Sequence, residues 1–472
     1  MGVGLERMDN KSDKEIKQLA EGDAFCILPW IHMHPWPQGK VFPCCLSNTT
    51  ADDVVGDLNV QTISEVYNGE QLRKMRNDFL NNKKHHSCTK CYDQEALGRS
   101  DSLRMKSNEE FLLQPNEWNK FENKMELVKS TEESGKVKDV NMAYMDIRFS
   151  NICNMKCRMC GPDLSSLWYH DAVDSKYNFT PKQAIHQIKK GSEDFLSQFD
   201  AYLHTVEKIY WAGGEPLIMD EHWYVMNKLV ELGRTDVQVH YNTNLSKLTY
   251  KEYDAIELWK NFKNINIGAS LDDSHARAEY IRKGTVWSDI ENNITRIKAE
   301  LPNIDFYISA TVDFFNAISI TDFYRYMVEK EFIKLEDFQL NILFGKPIYR
   351  ATIHSKEIQD NAIKNVKELL TEIKDKDKLG RATNGFSMFQ KFLEGEDKNY
   401  MLPDTFKEIK EMDTFRKENF FNVFPEFEEY KNVYSEVDIK FKEGFLNVKI
   451  DKTENMFMTG PVSEIETIDF EI

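Results

Sequence analysis

The chain has 472 residues, of which 41% are hydrophobic and 29% charged, and its formal net charge is -17. The apolar fraction excludes a disordered chain, and the acidic balance disfavours nucleic-acid binding because few cations are available to neutralise phosphates. No stretch approaches the roughly 20 apolar residues of a membrane span, and the polar N-terminus has no apolar signal core, so we expect a cytoplasmic protein that does not contact membranes.

The first 100 residues are rich in cysteine. They contain Cys26, Cys44, Cys45, Cys88 and Cys91, and the whole chain has eight cysteines. In a reducing compartment, clustered cysteines are more often metal or catalytic ligands than disulfide partners. Cys26, either Cys44 or Cys45, Cys88 and Cys91 supply four thiolates from three chain segments. A set of four thiolates binds either zinc or an iron–sulfur cluster. We therefore predict a small metal-binding module over residues 1–100, followed by a helical linker over residues 101–140.

From residue 141 onward, short apolar runs alternate with longer segments of helical periodicity. The predicted strands are 143–149, 206–212, 237–243, 265–271, 305–312 and 338–344, and the clearest predicted helices are 222–233, 250–262, 287–300 and 320–332. Strand–helix–strand repetition implies parallel pairing with right-handed crossovers. The predicted fold class is therefore α/β, as a partial (β/α)6 TIM-like barrel or an open doubly wound sheet over residues 141–350.

The last section, residues 351–472, is less regular. We predict a helix near 355–375, further helices and loops after it, and a β-hairpin over 437–451, where apolar and polar residues alternate around a Glu-Gly turn. This section would form a mixed C-terminal extension beside the barrel and the cysteine-rich N-terminal module.

Three more cysteines follow the first predicted strand of the barrel. Cys153, Cys157 and Cys160 are spaced C-x3-C-x2-C within one short loop. Thiolate sulfur is the soft ligand that iron–sulfur clusters and zinc prefer. A structural zinc site requires a fourth ligand nearby, and no fourth cysteine follows in the sequence. The loop therefore fits a cluster with one open iron better than it fits zinc.

This loop resembles the signature of the radical S-adenosylmethionine (SAM) superfamily, whose three cysteines hold a 4Fe–4S cluster. The loop after the second predicted strand agrees, because sites in barrel folds form at the carboxyl ends of strands. It contains Gly213, Gly214, Glu215 and Pro216, which match the GGEP motif of the superfamily. The resemblance implies that this motif binds the amino group of SAM.

The loops after the third and fourth predicted strands extend the resemblance. Asn242 and Asn244 lie in a segment similar to the Thr-Asn-Gly element of the superfamily, with Asn244 in place of the usual glycine. The resemblance implies that Ser270 contacts the ribose of SAM and that Arg282 faces its carboxylate.

The N-terminal cysteines resemble the SPASM/twitch auxiliary-cluster module of radical SAM enzymes, through the pattern C-x2-P-W…G-x-V-x-P-C…C-x2-C-Y. That module usually follows the barrel, whereas here it precedes it. The cysteines suffice for one auxiliary 4Fe–4S cluster, on Cys26, Cys44, Cys88 and Cys91, with zinc as the alternative metal. Cys44 matches the module better than Cys45, which would be a spare thiol.

The resemblance implies reductive cleavage of SAM to a 5′-deoxyadenosyl radical that abstracts hydrogen from a substrate, with a flavodoxin- or ferredoxin-type electron donor. Lys156 and Arg158 flank the cysteines and would either dock that donor or be ordinary solvated charges. Substrates in the SPASM/twitch group are often peptides or proteins. The alternative is oxidation or rearrangement of a sugar, amino-sugar or nucleotide. A non-enzymatic zinc-binding interaction module is a third interpretation, but it leaves the GGEP motif and Arg282 unexplained.

Overall fold

The computed structural model describes residues 11–96, 102–113, 121–174, 183–188, 193–434, 437–441, 444–450 and 456–459. These residues form one large sheet flanked by helices, and a separate three-stranded antiparallel sheet near the C-terminus. In this part of the chain, no helix is both long and apolar enough to span a bilayer.

The large sheet is mostly parallel. In chain order, the strands of the described residues are β1 His32–Pro35, β2 Lys40–Phe42, β3 Gly56–Asp57, β4 Tyr144–Met145, β5 Lys156–Cys157, β6 Lys208–Trp211, β7 Gln238–Thr243, β8 Thr249–Tyr250, β9 Tyr253–Asp254, β10 Asn264–Ala269, β11 Arg282–Lys283, β12 Asp305–Val312, β13 Phe338–Ile342, β14 Val437–Phe441, β15 Gly444–Ile450 and β16 Met456–Thr459. The large sheet has the order β13-β12-β10-β7-β6-β4-β1-β2-β3. From β13 to β1 every pairing is parallel, whereas β2 and β3 add antiparallel.

Helices connect the parallel strands and cover the sheet. The α-helices are Asp13–Glu21, Leu28–Ile31, Ile63–Tyr67, Glu70–Leu80, Thr89–Ala96, Leu103–Asn108, Phe121–Lys129, Trp168–Asp174, Glu193–Leu203, Asp220–Glu231, Ala255–Trp259, His275–Ile281, Trp287–Glu300, Ile320–Glu329, Lys356–Ile373, Arg381–Gly395, Leu402–Arg416, Phe420–Val423 and Lys431–Tyr434. The helix Trp287–Glu300 is typical, since it buries Trp287, Ile290, Ile294 and Ile297 along one face. Apolar residues at this spacing form the stripe by which a helix packs on a sheet.

The predicted α/β class with a large parallel sheet is confirmed. Each of the six strands predicted between residues 141 and 350 is present, as β4, β6, β7, β10, β12 and β13, and they neighbour one another in chain order. The helix predicted over 250–262 is wrong in its first half, where β8 and β9 form a short antiparallel pair. The Asp254 side chain accepts the backbone N–H of Ile256 and caps the helix there, so the helix begins only at Ala255.

The N-terminal segment adds directly to the sheet of the later segment. Strand β1 pairs with β4 in parallel, with His32 opposite Tyr144 and Met33 opposite Met145. Strands β1, β2 and β3 of the N-terminal segment therefore extend the sheet beyond β4, which is the strand that leads into the C-x3-C-x2-C loop.

The segment after residue 350 packs on the α/β region through a second, aromatic core. This core contains Tyr280, Phe314, Phe315, Tyr349, Phe406, Phe420, Phe424, Phe427 and Tyr430. Met159 of the cysteine loop packs against it. The hairpin predicted over 437–451 is present as β14 and β15, and β16 adds to it as a third antiparallel strand.

Candidate functional site

The loop that carries Cys153, Cys157 and Cys160 is fixed by hydrogen bonds along its backbone. Trp168 Nε1 donates to the Cys157 carbonyl at 2.8 Å, and Ser165 Oγ donates to the Met155 carbonyl at 2.5 Å. The Cys160 N–H donates to the Cys157 carbonyl at 3.1 Å. These contacts turn a short loop back on itself and bring its three thiols to one place.

The thiols of this loop differ in acidity. Burial raises the pKa of Cys153 to about 12. For Cys157, the hydrogen bond from Cys160 and then the charge of Arg282 lower the pKa to about 7, against the effect of burial. Iron binds the thiolate form, so the cation beside Cys157 favours the ligating state.

The glycine-rich segment after β6 packs directly against the cysteine loop. The Glu215 N–H donates to the Ile152 carbonyl at 2.8 Å. A Cβ atom on Gly214 would lie 2.0 Å from the same carbonyl oxygen, and Gly213 has a φ of +121°. Both positions therefore require glycine, one for space and the other for its backbone conformation.

We expect Gly214→Ala to lower SAM cleavage by about tenfold or more, because the added methyl group must displace the backbone of the cysteine loop, at a cost of about 1–3 kcal/mol. The matched control is Gly161→Ala, next to Cys160, where an added Cβ meets nothing within 4 Å. The measurement is 5′-deoxyadenosine formed per chain. Equal activity of the two variants would contradict the close packing of Gly214 on the loop.

The Glu215 carboxylate joins two loops. Its Oε1 accepts the Thr243 hydroxyl at 2.8 Å, and its Oε2 accepts the Asn244 N–H at 2.7 Å. Burial raises the pKa of this carboxyl to about 7, against these hydrogen bonds. Both carboxylate oxygens of Glu215 already accept hydrogen bonds from residues of this chain. A contact between Glu215 and SAM therefore remains a prediction.

The two asparagines at the carboxyl end of β7, Asn242 within the strand and Asn244 after it, have different neighbours. Asn244 Nδ2 donates to Asn154 Oδ1 at 2.9 Å, which ties this segment to the cysteine loop. Asn242 Nδ2 donates to Tyr210 Oη at 2.6 Å. Ser270 is half-buried after β10, and its N–H donates to the Thr243 carbonyl at 2.8 Å. The predicted residues thus follow neighbouring strands at the same end of the sheet.

Arg282 connects the cysteine loop to the ends of two further strands. Arg282 lies in β11, which pairs antiparallel with β5 so that Arg282 is opposite Cys157. The Nη1 atom of Arg282 lies 3.8 Å from the Cys157 sulfur. Asp272 accepts both Nε and Nη2, at 2.7 and 3.0 Å, and also accepts the Thr311 N–H at 2.8 Å. Asp272 is not among the residues predicted to contact SAM, although it directly follows the predicted strand 265–271.

The prediction that Arg158 docks an electron donor is wrong. Arg158 is fully buried, and its Nη2 lies 2.6 Å from Asp413 and 2.7 Å from Glu418. The guanidinium also stacks 3.6 Å from the centre of the Tyr280 ring. Because both of its acidic partners lie in the C-terminal extension, Arg158 anchors that extension to the cysteine loop. The guanidinium is buried and is not accessible to another protein. Lys156 is a quarter exposed and pairs with Asp171.

Four N-terminal cysteines gather into a second group. Burial raises the pKa of Cys26 and of Cys44, and the nearby charges of Cys88 and Cys91 raise both further. Cys45 has different main neighbours. Burial and then the charge of Asp146 raise its pKa to about 12. Of the adjacent pair, Cys44 is therefore the one whose surroundings are mainly cysteine.

Two family models match the chain where these groups lie. Residues 147–316 match the radical SAM superfamily, and residues 26–92 match SPASM, an iron–sulfur cluster-binding domain. Residues 147–316 therefore contain a radical SAM domain, and residues 26–92 contain an SPASM domain. The cofactors of the chain are accordingly a 4Fe–4S cluster with SAM, and auxiliary iron–sulfur binding in the SPASM module. No curated protein matches the sequence.

Several solved structures show partial similarity. "Native anSMEcpe with bound AdoMet and Cp18Cys peptide" is 18% identical, with a TM-score of 0.34, over 49% of this chain and 60% of that one. Streptococcus suis SuiB bound to the precursor peptide SuiA is 12% identical, with a TM-score of 0.34, over 64% of this chain and 62% of that one. The chain thus spans about three fifths of their length, and at these scores the similarity carries no conclusion about its substrate.

Proposed function

We propose that the protein cleaves SAM reductively at a cluster held by Cys153, Cys157 and Cys160, on a partial (β/α)6 barrel over residues 141–350, and uses the product radical to abstract hydrogen from a peptide or protein. The observation that carries this proposal is the contact of the glycine segment at Gly214 and of Arg282 with one three-cysteine loop. These elements come from separate strands, and a structural zinc loop would need neither.

The residues around the loop have separable roles. When bound, the cluster supplies one electron to the SAM sulfonium, whose C5′–S bond breaks to give methionine and a 5′-deoxyadenosyl radical that takes a hydrogen atom from the substrate. The Gly213–Pro216 backbone, Asn242, Asn244 and Ser270 would hold SAM in position. Arg282 would present its cationic edge to the SAM carboxylate while Asp272 fixes its orientation.

The SPASM module would hold one auxiliary 4Fe–4S cluster on Cys26, Cys44, Cys88 and Cys91. The mutual effect of these thiols on each other's pKa supports this set. The module supports a peptide or protein substrate, because enzymes of the SPASM group often act on peptides. A flavodoxin- or ferredoxin-type protein would supply the electron.

The test is anaerobic reconstitution followed by iron and sulfide analysis, then dithionite, SAM and a 5′-deoxyadenosine assay. About eight irons per chain with 5′-deoxyadenosine formed would support both clusters. No iron and no 5′-deoxyadenosine from folded protein would overturn the proposal.

The substrate class is tested separately, with cell extract that is divided by dialysis into a retained and a dialysable fraction. If the retained fraction raises 5′-deoxyadenosine formation and protease treatment abolishes this effect, the substrate is a peptide or protein. If the dialysable fraction raises 5′-deoxyadenosine formation and protease treatment has no effect, the substrate is a small molecule.

The choice between the adjacent cysteines gives a sharp prediction. We expect Cys44→Ala to lower the iron content by up to about four atoms per chain, because it removes one of four cluster ligands. Cys45→Ala is the matched control and should keep full iron, since its main neighbours are Asp146 and Arg148 rather than the other cysteines. The opposite pattern of iron loss would assign the ligand to Cys45.

A further inference from the structure

A compact group of buried polar side chains lies between the N-terminal module and the barrel, apart from both sets of cluster cysteines. It consists of His32, His34 and Asp146, each at most 2% exposed. One nitrogen from each histidine and one carboxylate oxygen all lie within 4.8 Å of one another. Buried imidazoles and carboxylates in such a group require partners, because burial of polar groups without them is unfavourable.

The strand pairing builds this group. His32 and His34 alternate with Met33 along β1, so both project from the same face of the sheet. Asp146 follows β4 directly, and the parallel register of the two strands brings it level with His34. His34 Nδ1 lies 3.0 Å from Asp146 Oδ2. The arrangement thus depends on a long-range pairing, not on a local motif.

The carboxylate of the group is only partly satisfied. Its Oδ2 lies 3.0 Å from His34 Nδ1, whereas its Oδ1 has no hydrogen-bond partner among the described residues, although Asp146 is 0% exposed. Its other charged neighbour is Arg148, whose Nε lies 3.7 Å away and is itself without a hydrogen-bond partner in this part of the chain. An anion buried in this way fits a position beside a cation, to which Oδ1 remains available.

We propose that His32, His34 and Asp146 form a mononuclear site for a divalent transition-metal ion, distinct from the iron–sulfur clusters. Two imidazole nitrogens and one carboxylate oxygen are a ligand set of zinc and of non-haem iron(II), and they leave coordination positions open. The site lies on the sheet face that carries Tyr210 of β6 and His240 of β7, because the strand registers bring Asp146 level with Tyr210 and Tyr210 level with His240.

The site lies near residues of both cysteine groups. The charge of Asp146 acts on Cys45, the neighbour of the predicted auxiliary ligand Cys44. Along the chain, Asp146 follows β4 and precedes the loop of Cys153. A metal ion here would hold β1 of the N-terminal segment against β4. The competing explanation is a metal-free contact in which His34 and Asp146 alone join β1 to β4.

The test uses the full chain, reconstituted anaerobically with iron and sulfide and then incubated with Zn²⁺ and desalted. The iron content and the zinc content per chain are measured separately on the same sample. X-ray absorption at the zinc edge identifies the atoms that bind the zinc. We expect about one zinc per chain with nitrogen and oxygen neighbours and no sulfur at about 2.3 Å. Asp146→Asn and His34→Gln should each keep less than about a tenth of that zinc, because each removes a ligand from a three-ligand site.

His222→Gln is the matched control. His222 is also fully buried, and its Nε2 lies 2.9 Å from Tyr241 Oη, away from the group. It should keep the zinc. No zinc in wild-type protein that has full iron and forms 5′-deoxyadenosine would overturn this inference and leave the proposed function standing. Sulfur scattering at the zinc edge, or unchanged zinc in Asp146→Asn, would equally overturn it. Because the absorption spectrum needs only wild-type protein, the inference stays testable if a variant does not fold.

Discussion

Simultaneous replacement of Cys153, Cys157 and Cys160 by alanine is expected to abolish 5′-deoxyadenosine formation and to remove about four irons per chain. The three thiolates would be the whole protein contribution to this cluster, and no fourth cysteine lies in the loop. The measurement is iron content together with 5′-deoxyadenosine after reduction in the presence of SAM. This is the largest effect on activity that we expect from any substitution in the chain.

The N-terminal group supplies the internal control for this variant. Its cysteines belong to other chain segments, so the auxiliary iron should remain when the barrel loop is changed. Cys45→Ala, which also removes one thiol, should lower neither the iron content nor the yield of 5′-deoxyadenosine. Retention of SAM cleavage by the triple variant would refute the assignment of the loop. Loss of all iron would instead show that the two groups do not assemble independently.

Local patterns were sufficient to predict the parallel strands and the cysteine loop. In Gln238–Thr243, for example, buried and half-buried residues alternate as the sequence VQVHYNT indicates. The GGEP motif could be recognised because Gly213 and Gly214 meet backbone constraints that few other residues satisfy. These features depend on residues close together in sequence, where periodicity and turn chemistry are informative.

Long-range contacts could not be predicted in the same way. The pairing of β1 with β4 joins residues more than a hundred positions apart, and nothing in either short strand specifies the other. The His32, His34 and Asp146 group depends on that pairing, so it was not identified from the sequence. A charged residue in a polar loop is usually solvated, which is why Arg158 was interpreted as a surface charge. Its partners, Asp413 and Glu418, are about 255 positions away in the chain.

Arg158→Met is expected to lower the free energy of unfolding by about 3–5 kcal/mol, since it leaves the buried Asp413 carboxylate without its cation, whereas Glu418 keeps Lys283 at 2.9 Å. Asp413 Oδ1 would keep the Tyr280 hydroxyl at 2.7 Å, and Oδ2 would keep the Phe420 N–H at 2.7 Å, but the charge of Asp413 would be uncompensated by Arg158. The measurement is denaturant unfolding followed by circular dichroism, with iron analysis of the folded fraction.

Two further variants separate loss of the ion pair from a general effect of removing an arginine. Arg325→Met removes the exposed pair with Glu372 and should cost no more than about 1 kcal/mol. Combining Arg158→Met with Asp413→Asn and Glu418→Gln removes all three charges and should recover part of the lost stability, because a buried ion cluster contributes little relative to neutral packing. If Arg158→Met were no more destabilising than Arg325→Met, the C-terminal extension would not depend on Arg158. If it is much more destabilising and also lowers the iron content, then docking of the extension holds the loop in the geometry that the cluster requires, because Arg158 lies between Cys157 and Cys160 in that loop.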